Sequence, residues 1–181
     1  MTTKPTDSAT PVPLPPDSDI DHLYATTDFS DAYAIELPPG VTSDPKSLAR
    51  FIFSRRSVWG DTLMKLRDAL VAGLGLKTTR ALASLMAEDR AERIEFFRIY
   101  KTTPTEIVLG EDDSHLDFRV SVLCSPGASL DAARRVTVST VVHCHNLLGR
   151  IYIRIIAPFH RRLVQHSLHS AAQAGWPPAT S

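Results

Sequence analysis

Residues 105–124 read TEIVLGEDDSHLDFRVSVLC, two alternating runs on either side of an acidic pair. Ile107 and Leu109 share one parity before Asp112-Asp113. After it, Leu116, Phe118, Val120 and Val122 alternate with Asp117, Arg119 and Ser121. A period of two marks a half-buried strand, because successive side chains point to opposite faces. Aspartates suit tight turns. The stretch therefore predicts a hairpin turning at Asp112-Asp113, with Leu109 beside Leu116 and Ile107 beside Phe118.

The same period extends outward. From Arg93 it predicts five strands, at 93–101, 105–111, 115–124, 134–145 and 150–156, with connections short enough for an antiparallel meander. A loop near Ser129 would pair Phe118 with Thr140, Val120 with Val138 and Val122 with Val136. A turn at Leu147-Leu148 would pair Val142 with Ile153 and Cys144 with Ile151. All these pairings gather apolar residues on one face, which a one-residue slip would scatter. Upstream, DAYAIELPPG (31–40) alternates and stops at Pro38-Pro39-Gly40, giving a further strand. Asp44 and Pro45 open a short helix as cap and first residue. Trp59, Leu63, Leu66, Leu70 and Leu74 form one apolar stripe, predicting a helix from Ser57 to Val71. A short helix after Thr79 follows.

A last helix is predicted from Pro158 to about Ala174. Phe159, Leu163, Val164, Ser167, Leu168 and Ala171 share one side of it, and that side would cover the apolar sheet face. The expected fold class is α+β: a curved antiparallel sheet of about six strands wrapped around a long C-terminal helix, with two or three short helices after the first strand.

The chain has 181 residues, 43% of them apolar, and twenty basic side chains balance twenty acidic ones. That balance gives no global field to attract nucleic acid. No run has the ~18 apolar residues of a membrane span, and the N-terminus has no apolar core of a secretion signal. A soluble, cytoplasmic protein is expected. Residues 1–21, with five prolines, read as a disordered tail. A single domain spans 22–174, and 175–181 form a C-terminal tail. Cys124 and Cys144 lie outside any CxxC pair and are expected to be free thiols.

The element order resembles the helix-grip superfamily, which includes START lipid-transfer domains, polyketide cyclases and plant pathogenesis-related proteins. Closer in sequence, the chain resembles a bacterial domain-of-unknown-function family, number 2867. The strings carrying that resemblance are LPPG (37–40), LMKLRDALV (63–71), LGLK (74–77), LGEDDSHLDFRVSV (109–122) and NLLGRIYIRIIAPFHRRLV (146–164). In that family the domain occurs alone or behind an NAD(P)-binding domain, whose GxGxxG signature this chain lacks. The family carries no established activity, so the resemblance transfers no catalytic residue.

Four groups of residues could carry chemistry. The predicted polar sheet face sets His115, His143 and Tyr152 in one row, then Asp117, Val141 and Arg154, then Arg119, Ser139 and Ile156, with Glu106 opposite Arg119. Imidazole and carboxylate could ligate a metal, but mixed charge on an outward face is what water-facing strands show. We expect no metal site. His160 falls on the sheet-facing side of the last helix, where it could orient a ligand, act as acid or base, or be a hydrogen-bonded core histidine. Glu111-Asp112-Asp113, with Asp117 nearby, could bind a divalent cation, but Asp112-Asp113 is the predicted turn itself, and turn chemistry is the better reading. Arg150, Arg154, Arg161 and Arg162 form a basic edge that either meets an anionic headgroup or is simply solvated.

No nucleophile or phosphate-binding motif occurs, and no cofactor is indicated. The functional expectation is an uncharacterised domain binding an apolar or amphipathic small molecule between sheet and last helix. His160, Thr140, Cys144, Phe118, Phe159 and Tyr152 are its candidate contacts. Two alternatives stand: a cyclase- or hydrolase-like enzyme using His160 as acid or base, and a filled core acting through protein partners.

Overall fold

Asp112 faces Asp117 across the first hairpin, so the chain turns over residues 113–116, with the Asp113 N–H donating to the Leu116 carbonyl at 3.0 Å. The turn is longer than the predicted one, and Leu109 pairs with Val120 instead of Leu116. Glu106 consequently sits opposite Leu123, not Arg119. The shift moves each pair by an even number of positions, so the apolar face survives it.

The computed structural model describes residues 8–54, 92–95, 97–127 and 133–179. Its strands are β1 (Thr10–Pro11), β2 (Phe29–Glu36), β3 (Arg93–Ile94), β4 (Phe97–Thr102), β5 (Glu106–Asp112), β6 (Leu116–Ser125) and β7 (Arg135–Cys144). The helices are α1 (Pro45–Phe53) and α2 (Leu147–Ala174). The seven strands form one open antiparallel sheet in the order β1-β2-β7-β6-β5-β4-β3. The α+β class holds. The predicted strand 93–101 is divided by Glu95, whose φ is 53°. The helices expected at 57–71 and after Thr79 lie outside the described residues.

The β6–β7 ladder also slips by an even step, with Phe118 on Val142 and Val120 on Thr140. Inner positions therefore remain apolar: Val136, Val138 and Val142 on β7, and Val120 and Val122 on β6, are all buried. α1 starts as expected, with the Asp44 carboxylate accepting from the Ser47 N–H at 2.9 Å. Its Leu48, Ala49 and Ile52 are buried against the sheet, and Leu168 of α2 is completely buried. Burial of Leu48, Ile52 and Leu168 contributes about 1.5–3 kcal/mol each by leaving water.

The segment 150–156 is helix, not a fifth strand of the meander. Its string IYIRII satisfies a period of two and a helical period alike; the cap decides between them. Asn146 is extended and its side chain accepts from the Gly149 N–H at 3.1 Å. Buried positions then recur at Gly149, Ile153, Ile156, Val164, Leu168 and Ala171, a helical spacing. Ile151 is exposed, so its predicted pairing with Cys144 does not form. Ile153 does pack on Val142 and Cys144, but from the helix. Pro158 sits inside α2 instead of opening it, and cannot donate to the Arg154 carbonyl.

The chain ends pack more than a tail does. Thr10 and Pro11 pair with Ala34 and Tyr33, and Ile20 is fully buried against Val108 and Val141 on the outer sheet face. Leu14 of this proline-rich run, and Tyr24 just after it, pack on the same cluster. Proline at an edge strand also blocks further pairing. At the other end, Gly175 terminates α2 with φ 78°, Trp176 is buried beside Phe51, and Pro178 bridges Val41.

Candidate functional site

One polar row interrupts the apolar inner face. Asp31 of β2 and Thr140 of β7 are direct cross-strand partners. On one side of this row lies the main core, with Tyr33, Ile35, Val136 and Val138. On the other lies a smaller cluster of Leu116, Val142, Cys144 and Ile153, with Phe29, Phe118 and Tyr152 packed on it. The parity of β2 puts Asp31 inward together with Tyr33 and Ile35, and the parity of β7 does the same for Thr140.

His160 descends on this row from α2. Its Nε2 is 3.1 Å from Thr140 Oγ1 and 3.5 Å from Asp31 Oδ1. The Arg161 Nε lies 4.0 Å from Asp31 Oδ2, and the Phe29 ring meets the His160 ring edge-on at 5.7 Å. The Asp31 side chain is 9% exposed, yet among the described residues neither of its oxygens has a hydrogen-bond partner. A buried carboxylate in that condition is costly. Burial, then the nearby Asp31 charge, raise the Tyr33 pKa against the opposing pull of Arg161.

Both neighbours of His160 converge on the same ring nitrogen. A relay that activates a hydroxyl needs the carboxylate on one ring nitrogen and the hydroxyl on the other. Thr140 is thus not set up as a nucleophile. A carboxylate can only accept, so Nε2 carries the proton in any hydrogen bond to Asp31.

The model of a family described as "Protein of unknown function (DUF2867)" matches residues 23–167. The chain belongs to that family. No curated protein and no solved structure matches it.

Of the six candidate contacts in this DUF2867 domain, His160 and Thr140 meet directly. Cys144, Phe118 and Tyr152 lie in the smaller cluster, which Phe29 joins to the polar row. Phe159 is 36% exposed, on the outward side of α2. The residue that spacing missed is Asp31. Its signal is parity with Tyr33, Ile35 and Leu37, one position upstream of the alternating run 32–37.

The other face of the domain's sheet holds a second polar group. Glu106 is 3% exposed and accepts from Ser18 Oγ at 2.6 Å, the Asp19 N–H at 2.9 Å, and Ser121 Oγ. This fastens residues 18–19 over the face, which is covered there and not open to water as expected. Arg119 pairs with Asp112 at 2.7 Å and lies 3.6 Å over the Tyr100 ring. Burial pushes the Tyr100 and Tyr24 hydroxyls up to about 12.

Three histidines, His115, His143 and His145, gather near the start of α2. His145 Nε2 is 3.0 Å from Asp117, His143 stacks on Tyr24, and Asp28 accepts from the Cys144 N–H at 2.7 Å and faces Arg150 at 3.3 Å. His115 is buried with the Tyr152 ring edge-on to it. Among the described residues no three His, Cys, Asp or Glu side chains are arranged to hold a metal. The two cysteines are free and buried. Burial raises both thiol pKa values, which leaves them poor nucleophiles.

Proposed function

We propose that this domain binds an amphipathic small molecule at the seam between β2, β7 and α2. The ligand's polar group would donate hydrogen bonds to Asp31, and its apolar part would lie along Phe29, Phe118, Val142 and Ile153. The observation carrying this reading is the Asp31 carboxylate beside His160, nine-tenths buried and, among the described residues, without a hydrogen-bonded partner. A donor on the ligand would satisfy what the protein leaves open. Sparse, convergent polar groups among apolar walls are the usual make-up of a ligand site. The free thiols fit a cytoplasmic setting.

Three probes of equal chain length test it: an alkyl amine, an alkyl alcohol and an alkyl carboxylate, each titrated calorimetrically. The amine and the alcohol should bind, and the carboxylate should be at least about ten-fold weaker, since a hydrogen bond to a charged group contributes ~1.5–3 kcal/mol. Binding of none, or equal binding of all three, contradicts the reading.

The Asp31–His160 contact also favours a second reading, in which His160 serves as acid or base toward a bound substrate. Substrate-dependent turnover lost in His160→Ala, with folding intact, would support it.

A further inference from the structure

Leu147, Ile151, Ile155 and Phe159 follow one another at steps of four along α2, and they are 67%, 46%, 41% and 36% exposed. A step of four advances slightly more than one helical turn, so these side chains form one slowly drifting stripe. It lies opposite the buried stripe of Gly149, Ile153 and Ile156. Exposed apolar side chains in a contiguous row mark an interaction surface.

The charges around the row say what it meets. α2 contains four arginines and no aspartate or glutamate. Arg154 and Arg162 are exposed beside the stripe, each three positions on from a member of it (Ile151 and Phe159), and form no ion pair among the described residues. The other two, Arg150 and Arg161, are held toward the strands, near Asp28 at 3.3 Å and Asp31 at 4.0 Å. Arginine stems lie along apolar surface while the guanidinium reaches a polar boundary.

We propose that this face of α2 docks on an anionic lipid surface. An apolar row with two cations beside it, unpaired among the described residues, fits a plane whose headgroups are negative and whose interior is apolar. A second copy fits poorly, because a two-fold contact would set the Arg154 and Arg162 of one chain against those of the other. A peptide partner fits poorly as well, since the row lies on the convex side of one helix and not in a groove. No helix among the described residues is long and apolar enough to cross a membrane, so the contact is peripheral.

The test is co-sedimentation of the full chain with phosphatidylglycerol vesicles and, separately, phosphatidylcholine vesicles. The protein should sediment with the first and not the second, and added salt should release it. Arg154→Gln and Arg162→Gln should each weaken binding about five-fold. The double change Ile151→Ser with Ile155→Ser should weaken it further, and these exposed positions leave thermal unfolding nearly unchanged. Failure to sediment, equal binding to both vesicles, or indifference to the arginine changes overturns the proposal. A dimer that Ile155→Arg splits, without vesicle binding, also overturns it and assigns the face to a second copy.

Discussion

Asp31 Oδ1 lies 3.5 Å from His160 Nε2, and the two belong to the first long strand and the last helix. The contact ties the cover of the sheet to its core, and among the described residues both carboxylate oxygens remain without a hydrogen bond. Replacing the charge with an amide of the same shape removes most of the desolvation cost. The loss is attraction to His160 and Arg161, neither of which makes a hydrogen bond to Asp31. Asp31→Asn should therefore keep or raise the stability by on the order of 1 kcal/mol. Urea unfolding of the two proteins checks this. A clear destabilisation would mean that the carboxylate is a structural partner.

Glu106 has the opposite role. It satisfies Ser18, the Asp19 N–H and Ser121 in a buried setting. Glu106→Leu leaves those donors stranded, at about 1–3 kcal/mol each where they stay buried. We expect a large loss of stability, together with faster hydrogen exchange over residues 18–24. Unchanged exchange there would show that the covering segment does not depend on the carboxylate.

Gly149 sets two effects against each other. Alanine is a better helix former by ~1 kcal/mol. However, a Cβ at 149 would stand 2.2 Å from the His115 carbonyl oxygen, which is backbone and cannot swing aside. Overpacking of this kind costs about 1–3 kcal/mol or more. Gly149→Ala should lower Tm despite the gain in propensity.

Asp112 carries a pH dependence. Burial is the largest single influence and pushes its pKa up; the hydrogen bonds from Arg119 and Tyr100, with the Arg119 and Arg98 charges, outweigh it and hold the carboxyl below 3.8. A lowered folded pKa contributes stability above the unfolded value and loses it as pH falls through the folded one. Stability should thus decline on acidification below the ordinary carboxylate range, and Asp112→Asn should flatten that decline. The carboxylate is more than half exposed, so the effect is small. Guanidinium unfolding at stepped pH values would show it.

Much of the fold was legible because strand parity is robust. Leu116, Phe118, Val120 and Val122 face inward whether the hairpin turns at residue 112 or at residue 114. Register was less legible, since an even slip leaves every face intact. The string IYIRII misled because isoleucines at 151, 153 and 155 fit a strand, and only the Asn146 cap and the burial of Gly149 separate helix from strand. The proline-rich N-terminal run looked like a tail because its anchors are few: Ile20 and the bonds from Ser18 and Asp19 to a glutamate 88 positions from Ser18. Asp31 escaped notice because nothing local joins it to His160; only the pairing of β2 with β7 brings them together.

The most direct test of the binding site is native mass spectrometry of the freshly purified protein beside its Asp31→Asn variant. An extra small-molecule mass is expected on the wild-type chain, lost on denaturation and absent from an equally folded variant. A bare polypeptide mass for both, with no added alkyl amine retained by either, would contradict it.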